Sequence, residues 1–141
     1  MSAIDRFQSS VVTALVRDGW SQPKPLPLKF GSKDVKIDLA AEKILFAEKG
    51  RIQIAVEVKS FVVPSIVYAW HGALGQYLNY CLVLEHNQLS HLPYLAVPAE
   101  IYDQELTEEF FQSSIRRYQV NLLIIDSITE EIVQWNPDPQ I

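Results

Sequence analysis

A single cysteine, Cys81, is all the thiol chemistry in this 141-residue chain. One thiol cannot build an intrachain disulfide framework, which excludes the small stapled scaffolds and points to a reducing, cytoplasmic compartment. Basic charge is also scarce, with 12 Lys and Arg against 17 Asp and Glu, a formal net charge of −5 and a pI near 5.1. Nonspecific nucleic-acid binders normally carry a basic excess that displaces counterions from phosphate, so the overall balance argues against that class. No G-x-x-x-x-G-K-[ST] segment is present, which leaves nucleotide hydrolysis without support. The opening MSAIDRFQSS has charges at positions 5 and 6 and no apolar run, so a secretory leader is not expected. From Ser60 to Leu84 charge is missing altogether, and those 25 residues are long enough to span a bilayer. Pro64, His71, Gln76 and Asn79 inside the stretch would each be costly in hydrocarbon, so no membrane insertion is expected.

What the chain does have is apolar mass. At 48% hydrophobic and 11% aromatic residues it can form one compact domain over residues 1–141. A domain of this length buries about two-thirds of its unfolded surface, enough without disulfides or structural metal. The charge is polarised. Residues 24–59 carry eight basic and five acidic side chains, whereas residues 82–141 carry Arg116 and Arg117 against ten acidic ones.

Apolar residues Ile4, Phe7, Val11 and Leu15 predict an amphipathic helix over 3–18, with Ser2 as cap and Gly19 as stop. The proline-rich stretch 21–34 reads as extended chain or an edge strand. A meander is expected next: Val35 to Leu39, a short apolar run Ile44 to Ala47, a turn at Lys49-Gly50-Arg51, and Ile52 to Val58. Residues 65–86 predict a helix with apolar residues on nearly every side, which should be buried on most of them. Tyr94 to Val97 and Asn121 to Ile125 read as buried strands, 105–118 as a helix and Glu131 to Trp135 as a closing strand. The order α-β-β-β-α-β-α-β-β implies a mixed sheet with helices on its faces.

The residues that point to chemistry are Asp38, near the end of one strand, and Glu57-Val58-Lys59, at the end of another. If these strands are neighbours, alternation places Glu57 and Lys59 on one face, turned toward Asp38. Two close carboxylates repel unless a cation lies between them, and hard oxygen ligands suit Mg²⁺ or Mn²⁺ with Asp38 and Glu57 as its ligands. A lysine beside such a site can help deprotonate a water and offset charge on a phosphorane, the parts needed for phosphodiester hydrolysis. The same residues on strands also form ordinary cross-strand ion pairs worth well under 1 kcal/mol, and the triplet alone does not decide between the two.

Gln76-Tyr77-Leu78-Asn79-Tyr80 places Gln76 and Tyr80 at i and i+4 on the following helix, with Gly72 and Ala73 assigned to the same face. A helix–helix contact would use them equally well. His71, His86 and His91 are irregularly spaced and, with one cysteine, make a poor zinc set. Cys81 reads as a core thiol, and Trp20, Trp70 and Trp135 as core or interface residues.

Asp38, Glu57-x-Lys59 and Gln76-x-x-x-Tyr80 together resemble the PD-(D/E)XK nuclease superfamily, in the branch with a Q-x-x-x-Y helix. A closer resemblance runs along nearly the whole chain. ALVRDGW (14–20), KIDLAAEKILFAEKGRIQIAVEVKSF (36–61), ALGQYLNY (73–80), PYLAVP (93–98) and EIVQWNP (131–137) are similar to the XisH family of fdxN-element excision controlling factors. The resemblance implies a restriction-endonuclease-like α/β fold in a cyanobacterial factor for programmed DNA excision, acting with an XisI-like partner and a site-specific recombinase. It implies catalytic roles for Asp38, Glu57 and Lys59, and site support or DNA contact for Gln76 and Tyr80.

One position departs from the pattern. Related proteins place an acid on the first helix, where this chain has Gln8 and Ser9; Asp5 lies one turn away, and Glu42 is a candidate substitute. The alternative function is a catalytically silent interaction module on the same scaffold, using the apolar helix or the acidic half to hold a partner or form a homodimer. The −5 charge implies weak DNA affinity for the chain alone.

Overall fold

The computed structural model describes residues 2–44 and 50–139, except the side chains of residues 3–5 and 44. The side chains of Ile4 and Asp5, most of the run Ile44–Ala47, and Lys49 of the expected turn therefore lie outside what is described.

Helix α1 (Ala3–Arg17) leads into strands β1 (Lys24–Phe30), β2 (Lys33–Ile44) and β3 (Arg51–Val58). Helix α2 (Ile66–His86), strand β4 (Leu92–Pro98), a single helical turn α3 (Ala99–Ile101) with a π-helical turn at Tyr102–Leu106, helix α4 (Glu109–Tyr118), and strands β5 (Leu122–Asp126) and β6 (Glu131–Asn136) follow. One six-stranded sheet takes the strands in chain order, β1-β2-β3-β4-β5-β6. Pairing is antiparallel except at β3–β4 and β4–β5, which are parallel and connected through α2 and through α3 with α4. Among the described residues no helix is long and apolar enough to cross a membrane.

The two faces are covered differently. On one, Phe7, Val11, Ala14 and Leu15 of α1 and Trp20 pack on Leu39, Ala41, Ile54, Val56, Val58 and Ala96. On the other, Trp70, Ala73 and Tyr77 of α2 join Phe111 and Ile115 of α4 over Leu95, Val97, Leu122 and Ile124. Helix α1 ends as its sequence demands. Gly19 takes φ +96°, which lets its N–H reach Val16 O and the Trp20 N–H reach Leu15 O, closing the last turn.

Three expectations need correction. The strand carrying Asp38 runs unbroken to Ile44 and pairs directly with β3, so no separate strand intervenes before residue 44. The helix expected at 105–118 starts only at Glu109, because the chain is already helical from Ala99 and widens into the π-helical turn before restarting. Helix α2 is not buried on most sides: Val67, Tyr68, Leu78 and Leu82 are exposed, and its contact with the rest of the fold is carried by Trp70, Ala73, Tyr77, Val83 and Leu84. Apolar residues encircle this helix, so composition could not show which side faces the sheet.

Candidate metal centre

The site forms where β2 and β3 part. Leu39 pairs with Val56, and continuing that register by one step sets Asp38 opposite Glu57. On the other edge of β2 the pairing shifts: Lys24 meets Ala40 but Leu26 meets Ile37, so two residues of β2, Asp38 and Leu39, stand against Pro25 alone. This is a β-bulge, and its effect shows in the packing. Ile37 lies with Ala55 and Leu84 under α2, while Leu39 lies in the α1 core, although alternation would put residues two apart on one face. Asp38 Oδ2 accepts a hydrogen bond from the Val58 N–H at 3.0 Å. The bulge thus presents the Asp38 carboxylate to the end of β3, where it satisfies a backbone donor as the two strands separate.

Glu57 is 3% exposed, the most deeply buried carboxylate among the described residues. Its Oε2 lies 3.4 Å from Lys59 Nζ, and its Oε1 is buried without a hydrogen-bond partner. Burial, followed by contact with the Asp38 carboxyl and repulsion from its charge, pushes the Glu57 pKa up to about 8; Lys59 opposes the shift. Tyr80 stands at the same place on α2. Its phenol is pushed up to about 12, first by burial and then by the nearby charges of Glu57 and Asp38, so it remains a neutral donor at physiological pH.

Asp38, Glu57, Lys59 and Tyr80 are therefore brought together. Gln76 is not tied to the carboxylates by a hydrogen bond; it lines a groove beside Tyr80, together with Asn79, Lys33 and Lys36. Gly72 faces open space while Ala73 is fully buried, so the two do not share the Gln76 face. Gln8 and Ser9 sit on α1, which covers the opposite face of the sheet, and border a shallow surface depression with Val12 and Thr13. Glu42 is held by Arg51 at 3.4 Å on the far stretch of β2 and does not replace the absent acid. Two buried residues of α2 complete the scaffold: Tyr77, which spacing did not single out, donates to Gln119 O and accepts from the Asn121 N–H, and Trp70, read from the sequence as a core or interface residue, donates to Ser114 Oγ at 2.9 Å. Both rings lie on the buried side of α2, a side no i, i+4 pattern separated from the exposed one.

A carboxylate oxygen buried without a donor, beside a second carboxylate, is an arrangement that a cation completes. Two carboxylates are hard oxygen donors of the kind that suit Mg²⁺ or Mn²⁺ keeping several waters; among the described residues no group of three or more His, Cys, Asp or Glu is assembled around them. Asp38 and Glu57 would hold it.

The XisH protein family model matches residues 1–133. The chain belongs to the XisH family. Two solved structures are similar to it over nearly their whole length. An XisH family protein from Nostoc punctiforme PCC 73102 is 37% identical with a TM-score of 0.84, covering 94% of this chain and 99% of its own. A fdxN element excision controlling factor protein from Anabaena variabilis is likewise 37% identical, with a TM-score of 0.83 and coverage of 94% and 98%. No curated protein matches the chain. For the XisH family, this chain shows a bulged strand, a buried glutamate and a lysine converging at one end of the sheet.

Proposed function

We propose that this XisH-family chain serves programmed excision of a DNA element, and that Asp38, Glu57 and Lys59 form a PD-(D/E)XK-type centre for metal-dependent hydrolysis of a phosphodiester bond. The observation that carries this reading is Glu57, a buried carboxylate with one oxygen unpartnered and the other 3.4 Å from a lysine ammonium. Ordinary surface ion pairs do not bury their acid or leave it incompletely bonded. The bound Mg²⁺ or Mn²⁺ would supply Lewis-acid stabilisation of the phosphate oxygens.

The chain's own residues have distinct tasks. Asp38 and Glu57 supply the negative charge that holds the cation, and Glu57 must release its proton to do so. Lys59 can orient a nucleophilic water and offset charge as the phosphorane forms. Tyr80 supplies a neutral hydroxyl close to both carboxylates. DNA is the substrate this chemistry implies; the family resemblance suggests an XisI-like protein and a site-specific recombinase as partners, and the exposed apolar residues of α2 suggest a second copy of the chain.

A silent, regulatory role for the same site is favoured by one observation, the lack of a first-helix acid at Gln8 and Ser9, which leaves two carboxylates to hold the cation. Cleavage assays separate the readings. Branched, linear and single-stranded DNA are incubated with Mg²⁺ or Mn²⁺, with and without the XisI-like partner. Hydrolysis reduced about a hundredfold or more by Lys59→Ala supports the catalytic reading. No cutting under any condition, with partner binding intact, favours the regulatory one.

A further inference from the structure

Residues of β2 before Leu39 pair with β1 alone, so the β1–β2 hairpin leaves the sheet as a two-stranded arm. The arm turns onto the C-terminal half of α2. Phe30 stacks on His86 with ring centroids 3.7 Å apart, Asn87 Nδ2 donates to Lys29 O at 3.0 Å, and Ile37 packs with Leu84. Between arm and helix lies a groove of about 520 Å³ with Phe30, Lys33 and Lys36 on the arm side and Gln76, Asn79 and Tyr80 on the helix side.

The groove's charges are unequally engaged. Asp34, which also lines the groove, is paired with Lys29 at 2.7 Å in an exposed ion pair. Lys33 and Lys36 have no ion-pair partner among the described residues, in a protein whose net charge is −5. The side-chain amides of Gln76 and Asn79 make no hydrogen bond with the described residues. Two free ammonium groups on one wall and two free amides on the other match a phosphate backbone with base edges beside it. Tyr80 joins the groove floor to the carboxylate pair.

We infer that this groove holds one strand of nucleic acid, its phosphates on Lys33 and Lys36 and its bases toward Gln76 and Asn79, so that the strand passes to Asp38 and Glu57. The inference deepens the hydrolytic reading and rests on it for the direction of the strand. An acidic peptide would pair with the lysines and, through its backbone, with the amides, but it would make no use of the Phe30 and Tyr80 rings in the same groove, which offer bases a stacking surface.

Binding is measured in EDTA, where hydrolysis plays no part, by fluorescence anisotropy of fluorescein-labelled single-stranded and duplex DNA. The full chain, Lys33→Ala/Lys36→Ala, Gln76→Ala/Asn79→Ala and, as a control for lost positive charge, Arg116→Ala/Arg117→Ala are compared after circular dichroism confirms folding. The lysine variant is expected to bind single-stranded DNA about tenfold or more weakly, with the slope of log affinity against log salt reduced by about 1.4. The amide variant should weaken binding with the salt slope unchanged, and the arginine control should behave as the parent chain. Failure of the parent chain to bind at low salt, equal loss in the arginine control, an unaffected lysine variant, or equal competition by polyglutamate overturns the proposal. Binding that survives in Glu57→Ala while cleavage is absent from the parent chain would refute hydrolysis and leave the groove assignment standing.

Discussion

Glu57 is the residue on which the fold and the chemistry make opposite demands. Its place in β3 buries it with the apolar residues of the sheet, which favours the neutral acid, while a cation requires the carboxylate. The raised pKa sets the sign of a pH effect. Below about pH 4.5 the glutamate is protonated in both folded and unfolded chains. Between about 4.5 and 8 the unfolded chain ionises it and the folded chain does not, so its contribution to stability is lost as pH rises and is gone above about 8. Glu57→Gln, which cannot ionise, should therefore gain stability relative to the parent chain from pH 5 to pH 8, by an amount on the order of a few kcal/mol. Urea denaturation of both proteins in EDTA across that range checks this; parallel stability curves would contradict it. Period-two alternation put Glu57 and Lys59 on one face, where they lie 3.4 Å apart, whereas the approach of Asp38 to them depends on the β2 bulge and could not be read from alternation. The sequence did not reveal that Gln76 leaves the carboxylates to line a groove, since i, i+4 spacing says which residues share a helix face and nothing of how that face is rotated.

The elements show where local signals suffice. Helix α1 was readable to within a residue, because its apolar spacing and the glycine after it act together, and Gly19 at φ +96° supplies the left-handed conformation that its terminal hydrogen bonds need. Gly19→Ala should destabilise the protein by about 1 kcal/mol, from placing a Cβ in that conformation. A built Cβ would lie 3.3 Å from Lys43 Cε, the mobile part of a side chain that can shift, so the backbone cost dominates. A lowered urea midpoint with DNA binding unchanged is the expected outcome. The β2 bulge was not readable. It depends on how Pro25, which has no N–H, meets the neighbouring strand, and that register is a property of the pair. The turn of the arm onto α2 follows from the bulge and was hidden with it.

At the scale of the molecule, the charge that argued against nucleic acid is an average over unlike parts. The basic residues cluster in 24–59, the stretch that forms the arm and both site strands, and the acidic excess lies beyond residue 82. The order of elements along the chain was readable, and the sheet takes its strands in that same order because every strand pairs with its neighbour in sequence. The unpartnered face of α2 was not, because isolated apolar residues do not reveal whether other parts of the chain will cover them. Metal-dependent hydrolysis requires that the carboxylate pair hold a cation. Isothermal titration calorimetry of Mn²⁺ into the parent chain and Glu57→Gln near pH 7 tests this most directly. One cation per chain should bind, with about one proton released and binding lost in the variant. Equal binding by both proteins, or none by the parent chain even with its DNA present, would contradict the account.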